Sequence, residues 1–227
     1  MLKIKEKEQP KYAFFDVDET IISMKSMFSF IDIYFTHNKN TLLERRFHKE
    51  ISNLIATKAK RRVINARYYS FFKYFSTHSV NEACKIWFDK YSPEKKIFYN
   101  QNVITRLKLH QNNNIECVFV SGSFKELIAL IANDLNVKNI LCINLEKKEG
   151  MYTGNIIPPQ TIGNGKADAI KLFLSKNNSN GKQCFAYGDD VSDVDMLKTV
   201  GNPCAIYGER KLEEYAKNAN WEIISPR

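Results

Sequence analysis

Two textures of apolar and polar residues alternate along this chain, and the change between them divides it. Residues 11–16, Lys-Tyr-Ala-Phe-Phe-Asp, are a short apolar run ending abruptly in charge, which suits a buried parallel strand. From residue 26 to residue 98 there is no glycine and one proline, Pro93. Apolar side chains there recur at helical spacing, as at Ile64, Tyr68, Phe71, Phe72 and Phe75. That stretch predicts a small helical bundle inserted after the first strand.

From Asn100 onward, helix and strand patterns alternate. Helices are predicted over residues 101–111, 124–135, 166–175, 192–198 and 211–217, and strands over 115–121, 140–143, 184–187, 203–207 and 221–224. A turn at Glu149-Gly150 predicts a small hairpin within residues 146–152. Repeated βα units with short connections imply an α/β protein with a doubly wound parallel sheet. The expected organisation is a core of residues 1–23 and 99–227, interrupted by a helical cap of residues 24–98.

Composition narrows the class. The chain has 227 residues, 44% of them hydrophobic, enough for a real core and against general disorder. Apolar runs such as residues 127–132 are far shorter than a bilayer span. Residues 1–10 alternate lysine with glutamate and lack the apolar stretch of a secretory signal, so they read as a solvated leader and the protein as cytoplasmic. The five cysteines, Cys84, Cys117, Cys142, Cys184 and Cys204, are scattered through strand-like runs with no Cys-x-x-Cys. Reduced, buried thiols are expected, not a zinc site or a disulfide framework.

Charge adds one feature. Residues 24–98 carry fifteen Lys and Arg against six Asp and Glu, which is the whole net charge of +9. Such a segment can attract a phosphorylated small molecule, nucleic acid or an anionic membrane, or simply be a solvated helical face. Its aromatics, Tyr68, Tyr69, Phe71, Phe72, Tyr74 and Phe75, interleave with Arg61, Arg62, Arg67 and Lys73. Base stacking with phosphate contacts would suit that mixture. Bundle packing with a basic outer face needs fewer assumptions, so nucleic acid is not the expected partner.

Polar groups gather where ligands bind α/β sheets, beyond the carboxyl ends of the strands. The first strand ends in Asp16-Val-Asp18-Glu-Thr20. Two carboxylates two residues apart on near-extended chain point the same way, so one can attack phosphorus while the other shuttles a proton. An Asx turn or helix cap is the plainer alternative. The second strand ends in Ser121-Gly122-Ser123, either a phosphate cradle of hydroxyl and amide or an ordinary N-cap. Lys166 opens a helix, where it can neutralise a transferring phosphoryl group or merely be solvated. The fourth βα junction is Gly188-Asp189-Asp190-Val-Ser-Asp193-Val-Asp195. Four crowded carboxylates repel one another unless a cation sits among them, and oxygen ligands favour Mg²⁺. An acidic helix N-terminus is the alternative there. All four groups fall at junctions on one sheet edge, so they can converge on one phosphate and one metal.

These motifs, in this order, resemble the haloacid dehalogenase superfamily of phosphatases. Its four hallmarks match Asp16-Val-Asp18-Glu-Thr20, Ser121, Lys166 and Gly188-Asp189-Asp190-Val-Ser-Asp193. The helical insert after the first motif is similar to a type 1 cap. Val120-Ser-Gly-Ser-Phe124, the hairpin before Tyr152-Thr-Gly154, and Gly201-Asn-Pro203 resemble the phosphoserine phosphatase-like branch, subfamily IB. The likeness spans the core, while the cap matches only in position and helical character.

The resemblance implies a Mg²⁺-dependent phosphomonoesterase acting on a small metabolite through an aspartyl phosphate. By it, Asp16 is nucleophile and metal ligand. Asp18 is the acid and base, with its carbonyl on the metal. Thr20 orients the loop, Ser121 and the Gly122 amide hold phosphate oxygens, and Lys166 stabilises their charge. Asp189 is the carboxylate ligand of Mg²⁺, and Asp193 and Asp190 are supporting groups. A phosphotransferase or mutase would use the same nucleophile, and a protein docking its basic cap on nucleic acid or anionic lipid is the non-enzymatic alternative. Phosphoserine phosphatase places a glutamate shortly after the first motif to meet the substrate amine. Here the stretch is Ser23-Met-Lys25-Ser, so Lys25 is expected to disfavour phosphoserine and favour an anionic or neutral phosphomonoester.

Overall fold

A computed structural model describes residues 11–227. The expected leader at residues 1–10 lies outside them. Strand β1 (Tyr12–Asp16) leads into five helices, α1 (Ser26–Asn38), α2 (Thr41–Ala56), α3 (Arg61–Ser70), α4 (Thr77–Tyr91) and α5 (Lys95–Phe98). Then follow α6 (Gln101–Asn112), β2 (Glu116–Phe124), α7 (Lys125–Asp134), β3 (Asn139–Lys148), β4 (Met151–Ile157) and α8 (Asn164–Lys176). The chain closes with β5 (Phe185–Gly188), α9 (Val194–Leu197), β6 (Asn202–Ile206), α10 (Arg210–Asn218) and β7 (Glu222–Ile224).

The strands form one sheet in the order β4-β3-β2-β1-β5-β6-β7. Every pairing is parallel except β3 with β4, whose antiparallel hairpin turns at Glu149 and Gly150, both at positive φ. The chain winds outward from β1 to β4, then returns to β5 on the other side of β1. The topological switch point, where open α/β sheets bind ligands, therefore lies between β1 and β5.

Alternation along β1 builds the two faces. Phe14 joins Val118, Val120, Ala186 and Ala205 under α8, α9 and α10. Phe15 faces the other way, into a cluster with Phe119, Tyr187 and residues of α6 and α7. That second cluster runs without a break into the helical insertion. Phe72 is fully buried and lies 5.3 Å from Phe124 and 5.5 Å from Tyr152, ring centre to ring centre. The hairpin is stitched to the insertion as well, through Thr77 N–H to the Gly150 carbonyl (2.8 Å) and Tyr152 N–H to the Phe75 carbonyl (3.1 Å).

This packing decides the role of the aromatic segment. Tyr68, Tyr69, Phe71, Phe72 and Phe75 are all buried, and only Tyr74 is exposed. They are core, with no faces left for bases to stack on. All five cysteines are free and buried, and burial pushes the Cys117 thiol up to about 12, away from reactivity. Among the described residues, no helix is long and apolar enough to cross a membrane.

Two elements differ from expectation near the sheet edge. Strand β2 continues through Ser121-Gly122-Ser123 to Phe124, with its pairing to β3 slipping between Val120 and Phe124. Helix α7 begins only at Lys125 and has no side-chain cap, so neither serine is an N-cap. The helix expected over 192–198 splits into a 3₁₀ turn (Val191–Asp193) and the short α9. The Asp190 carboxylate accepts from Ser192 N–H at 2.8 Å, and this tight cap closes the turn.

Candidate active site

The parallel register sets which residues share one edge of the sheet. Asp16 lies opposite Val120 of β2, and Phe15 opposite Tyr187 of β5, so Asp16, Ser121 and Asp189 emerge from adjacent strands at one level. After β1 the chain folds back on itself: Ile21 and Ile22 N–H both bond the Val17 carbonyl (2.9 and 3.0 Å). The Asn100 amide donates to the carbonyls of Glu19 and Thr20 (2.8 Å each), pinning the loop. Thr20 is buried, and its hydroxyl donates to Asp189 Oδ1 at 2.7 Å, joining the loops after β1 and β5.

Lys166, two residues into α8, is buried at the centre. Its ammonium donates to Asp16 Oδ1 and Asp193 Oδ1, each at 2.7 Å. Burial alone would lower its pKa, but the two carboxylates outweigh burial and raise it, so the amine stays charged. Gly188 allows the close approach of Asp193: a Cβ there would lie 2.8 Å from Asp193 Cβ.

The acids are crowded. One oxygen each from Asp16, Asp189 and Asp193 falls within 4.8 Å of the others. Burial, with Asp193 and Asp189 nearby, raises the Asp16 carboxyl against the pull of Lys166. Burial and the Asp193 charge push Asp189 up to about 6. Among the described residues, Asp193 Oδ2 is buried without a hydrogen-bond partner. Mutually repelling carboxylates, an unpartnered oxygen and an all-oxygen donor set fit a hard divalent cation. Asp18 sits beside them; burial pushes its carboxyl up to about 7 against the opposing effect of Ser26, and its Oδ1 is also unpartnered.

The second strand contributes a rigid edge. The Ser121 carbonyl accepts from Thr161 Oγ at 2.9 Å, and the Gly122 carbonyl from Asn65 Nδ2 at 3.0 Å and Tyr69 OH at 3.1 Å. With these carbonyls held, the peptide planes are fixed. Ser121 Oγ accepts from Ser123 N–H at 3.0 Å, which leaves its own hydrogen to donate.

A cleft of about 360 Å³ joins Asp16, Asp18, Ser121, Gly122, Lys166, Asp189, Asp190 and Asp193, and Lys25 lines its rim. The structure thus brings together every site residue read from the sequence, Thr20 through its bond to Asp189. Two face differently from the others. Asp190 turns to the insertion, pairing with Arg61 (2.7 Å), and the Ser192 backbone N–H, with that guanidinium, holds its carboxyl low despite partial burial. Lys25 pairs with Glu19 at 3.3 Å, so its charge is balanced locally. Asn65, Tyr69 and Thr161 were missed. No local pattern marks them, because their partners lie 40 to 57 positions away.

Known proteins share this architecture. The haloacid dehalogenase-like hydrolase profile matches residues 13–198. A phosphoserine phosphatase of Mycobacterium tuberculosis is 29% identical over 225 residues, which cover 93% of this chain and 69% of that protein. A probable phosphatase of the same organism is 24% identical, over 94% of this chain and 74% of its own length. Among solved structures, a Bordetella pertussis protein of unknown function superposes with a TM-score of 0.85 at 19% identity, covering 97% of this chain and all of that one (100%). A phospho-aspartyl intermediate analogue of phosphoserine phosphatase gives a TM-score of 0.68 at 18% identity, covering 97% of this chain and 95% of that one. With its motifs on one sheet edge and the family profile spanning most of its length, the chain belongs to the haloacid dehalogenase-like hydrolases, as a phosphatase of that family.

Proposed function

We propose that the chain is a Mg²⁺-dependent phosphomonoesterase that transfers phosphate from a small phosphorylated compound to Asp16. The observation that carries this reading is Lys166 bridging Asp16 and Asp193, at 2.7 Å each, beside the switch point of the sheet. The helical insertion, residues 24–98, serves as the cap over the site.

The chemistry follows from the residues. Lys166 holds Asp16 Oδ1, which leaves Oδ2 to attack phosphorus. As the new O–P bond forms, the ester P–O bond breaks, and Asp18 gives its proton to the departing alkoxide. A carboxyl raised by burial to about 7 is suited to that donation. Asp18, now ionised, takes a proton from water, whose oxygen attacks phosphorus and releases inorganic phosphate and Asp16. Ser121 Oγ–H and the Gly122 amide bind the phosphoryl oxygens, and the Lys166 ammonium offsets their growing charge. Asp16, Asp189 and the Asp18 carbonyl would hold Mg²⁺, which when bound neutralises the repulsion between carboxylate and phosphate.

Phosphate release from a panel of phosphomonoesters tests this, using wild type and Asp16→Asn, each with Mg²⁺ or EDTA. Release confined to wild type with Mg²⁺ is expected. Release that persists in Asp16→Asn at wild-type rates assigns the nucleophile elsewhere and overturns the reading.

A further inference from the structure

We infer that the substrate's leaving group is an apolar alcohol, an alkyl chain or an uncharged ring, received by a hydrophobic upper wall built from the insertion. This inference rests on the phosphatase reading of the same cleft and specifies what the phosphate is attached to.

The floor of the cleft is charged, whereas its upper wall is mostly apolar. Met27 and Phe28 from α1, Ile55 from α2, Ile64 from α3, and Ile162 from the loop before α8 line it. Phe28 is 40% exposed and Ile55 50% exposed, large apolar groups left open at the mouth of a polar site. Phe28 is held edge-on to Tyr68, with ring centres 6.4 Å apart, and the Tyr68 hydroxyl donates to the Met27 carbonyl at 2.7 Å. The wall is therefore anchored to the core of the insertion.

The polar groups on that wall are already engaged. Asn65 donates to the Gly122 carbonyl and accepts from Gln160 Nε2 at 2.8 Å. Arg61 is forked onto Asp190 and Ser192, each at 2.7 Å. Lys25 and Glu19, at the rim, neutralise each other. A leaving group whose ammonium or carboxylate lay against this wall would lose part of its water and meet there only charges that are already paired, which is unfavourable. An apolar group gains from the same burial. The Glu19 carboxylate beside Lys25 also weakens the attraction for an anionic leaving group that the lysine charge alone suggests.

The test is kcat/KM for a series of straight-chain alkyl phosphates from ethyl to hexyl, beside phosphoserine, phosphoethanolamine and glycerol phosphate. Each methylene that reaches the wall should raise kcat/KM about three- to fourfold, the value of one buried CH₂. The hexyl-to-ethyl ratio should fall in Phe28→Ala and again in Ile55→Ala. Both sites are part-exposed, so these changes leave the core intact. A flat wild-type series, or preference for phosphoserine or phosphoethanolamine over butyl phosphate, overturns the inference. If ethyl phosphate hydrolysis then still requires Mg²⁺ and Asp16, the phosphatase reading stands. Absence of hydrolysis for every compound overturns both.

Discussion

Lys166→Met isolates the charge balance on which the site depends. Methionine keeps most of the volume and removes the ammonium between Asp16 and Asp193. The three side chains are only 8%, 9% and 1% exposed, so water cannot replace the missing cation. Two carboxylates would then face each other without compensation. Removing one partner from a buried ion pair costs about 3–5 kcal/mol, and for a domain of this size that lowers the melting temperature by roughly 6–20 °C. The experiment is thermal and urea unfolding in EDTA at neutral pH, followed by the fluorescence of Trp87 and Trp221. The double variant Lys166→Met/Asp193→Asn deletes one of the two orphaned charges and should regain at least about 1 kcal/mol. A loss below about 1 kcal/mol for Lys166→Met, or no recovery in the double variant, would refute the argument that Lys166 balances buried charge.

Other consequences can be measured on the same material. Mg²⁺ at a hundred times its dissociation constant should stabilise wild type by about 2.7 kcal/mol, and the same concentration should do much less for Asp189→Asn; equal stabilisation of both would place the cation elsewhere. His110 is buried, bonded through Nε2 to Tyr187 OH at 2.7 Å, and burial with the Arg106 charge lowers its pKa. Its unfolded form therefore binds a proton more readily, so the His110 contribution to stability is full above about pH 6.5 and falls as pH drops through the lower folded value. The raised Asp18 and Asp189 carboxyls contribute the opposite slope in the same window, and the difference between wild type and variant isolates the His110 part. His110→Gln should remove that part of the slope, and an unchanged slope counts against the assignment. Phe72→Ala should cost about 3–5 kcal/mol, with Trp87, in the apolar cluster that runs from the insertion onto one face of the sheet, and Trp221, packed against the cluster on the other face, unfolding together because one sheet joins the two clusters; separate transitions would contradict that coupling.

How much could be read without coordinates depends on the range of each interaction. An apolar run that stops at a charge is a local signal. It located Asp16 and Asp189 at or just beyond the ends of their strands, while Ser121 and Lys166 were read from residue type beside an expected strand end and helix start, and the parallel topology followed from the alternation of elements. The Glu149-Gly150 turn was equally legible, because positive φ at both residues is a local backbone demand.

The fine boundaries were less so. Ser121-Gly122-Ser123 reads as the start of a helix because short polar residues favour caps, yet the chain there continues as strand. Tertiary partners decide this: Thr161, Asn65 and Tyr69 take the Ser121 and Gly122 carbonyls. Charge in the insertion was countable in the sequence, but its use was not. Arg61 meets Asp190 from 129 positions away, and Arg67 pairs with Glu50 on the neighbouring helix. The sequence by itself determined which chemical groups the sheet edge would carry, since strand ends and residue types are local properties. Only the tertiary structure decided which of those charges are paired, which aromatics are core and which wall of the cleft is apolar. Those outcomes depend on how helices dock across long sequence separations, and no short pattern encodes that docking.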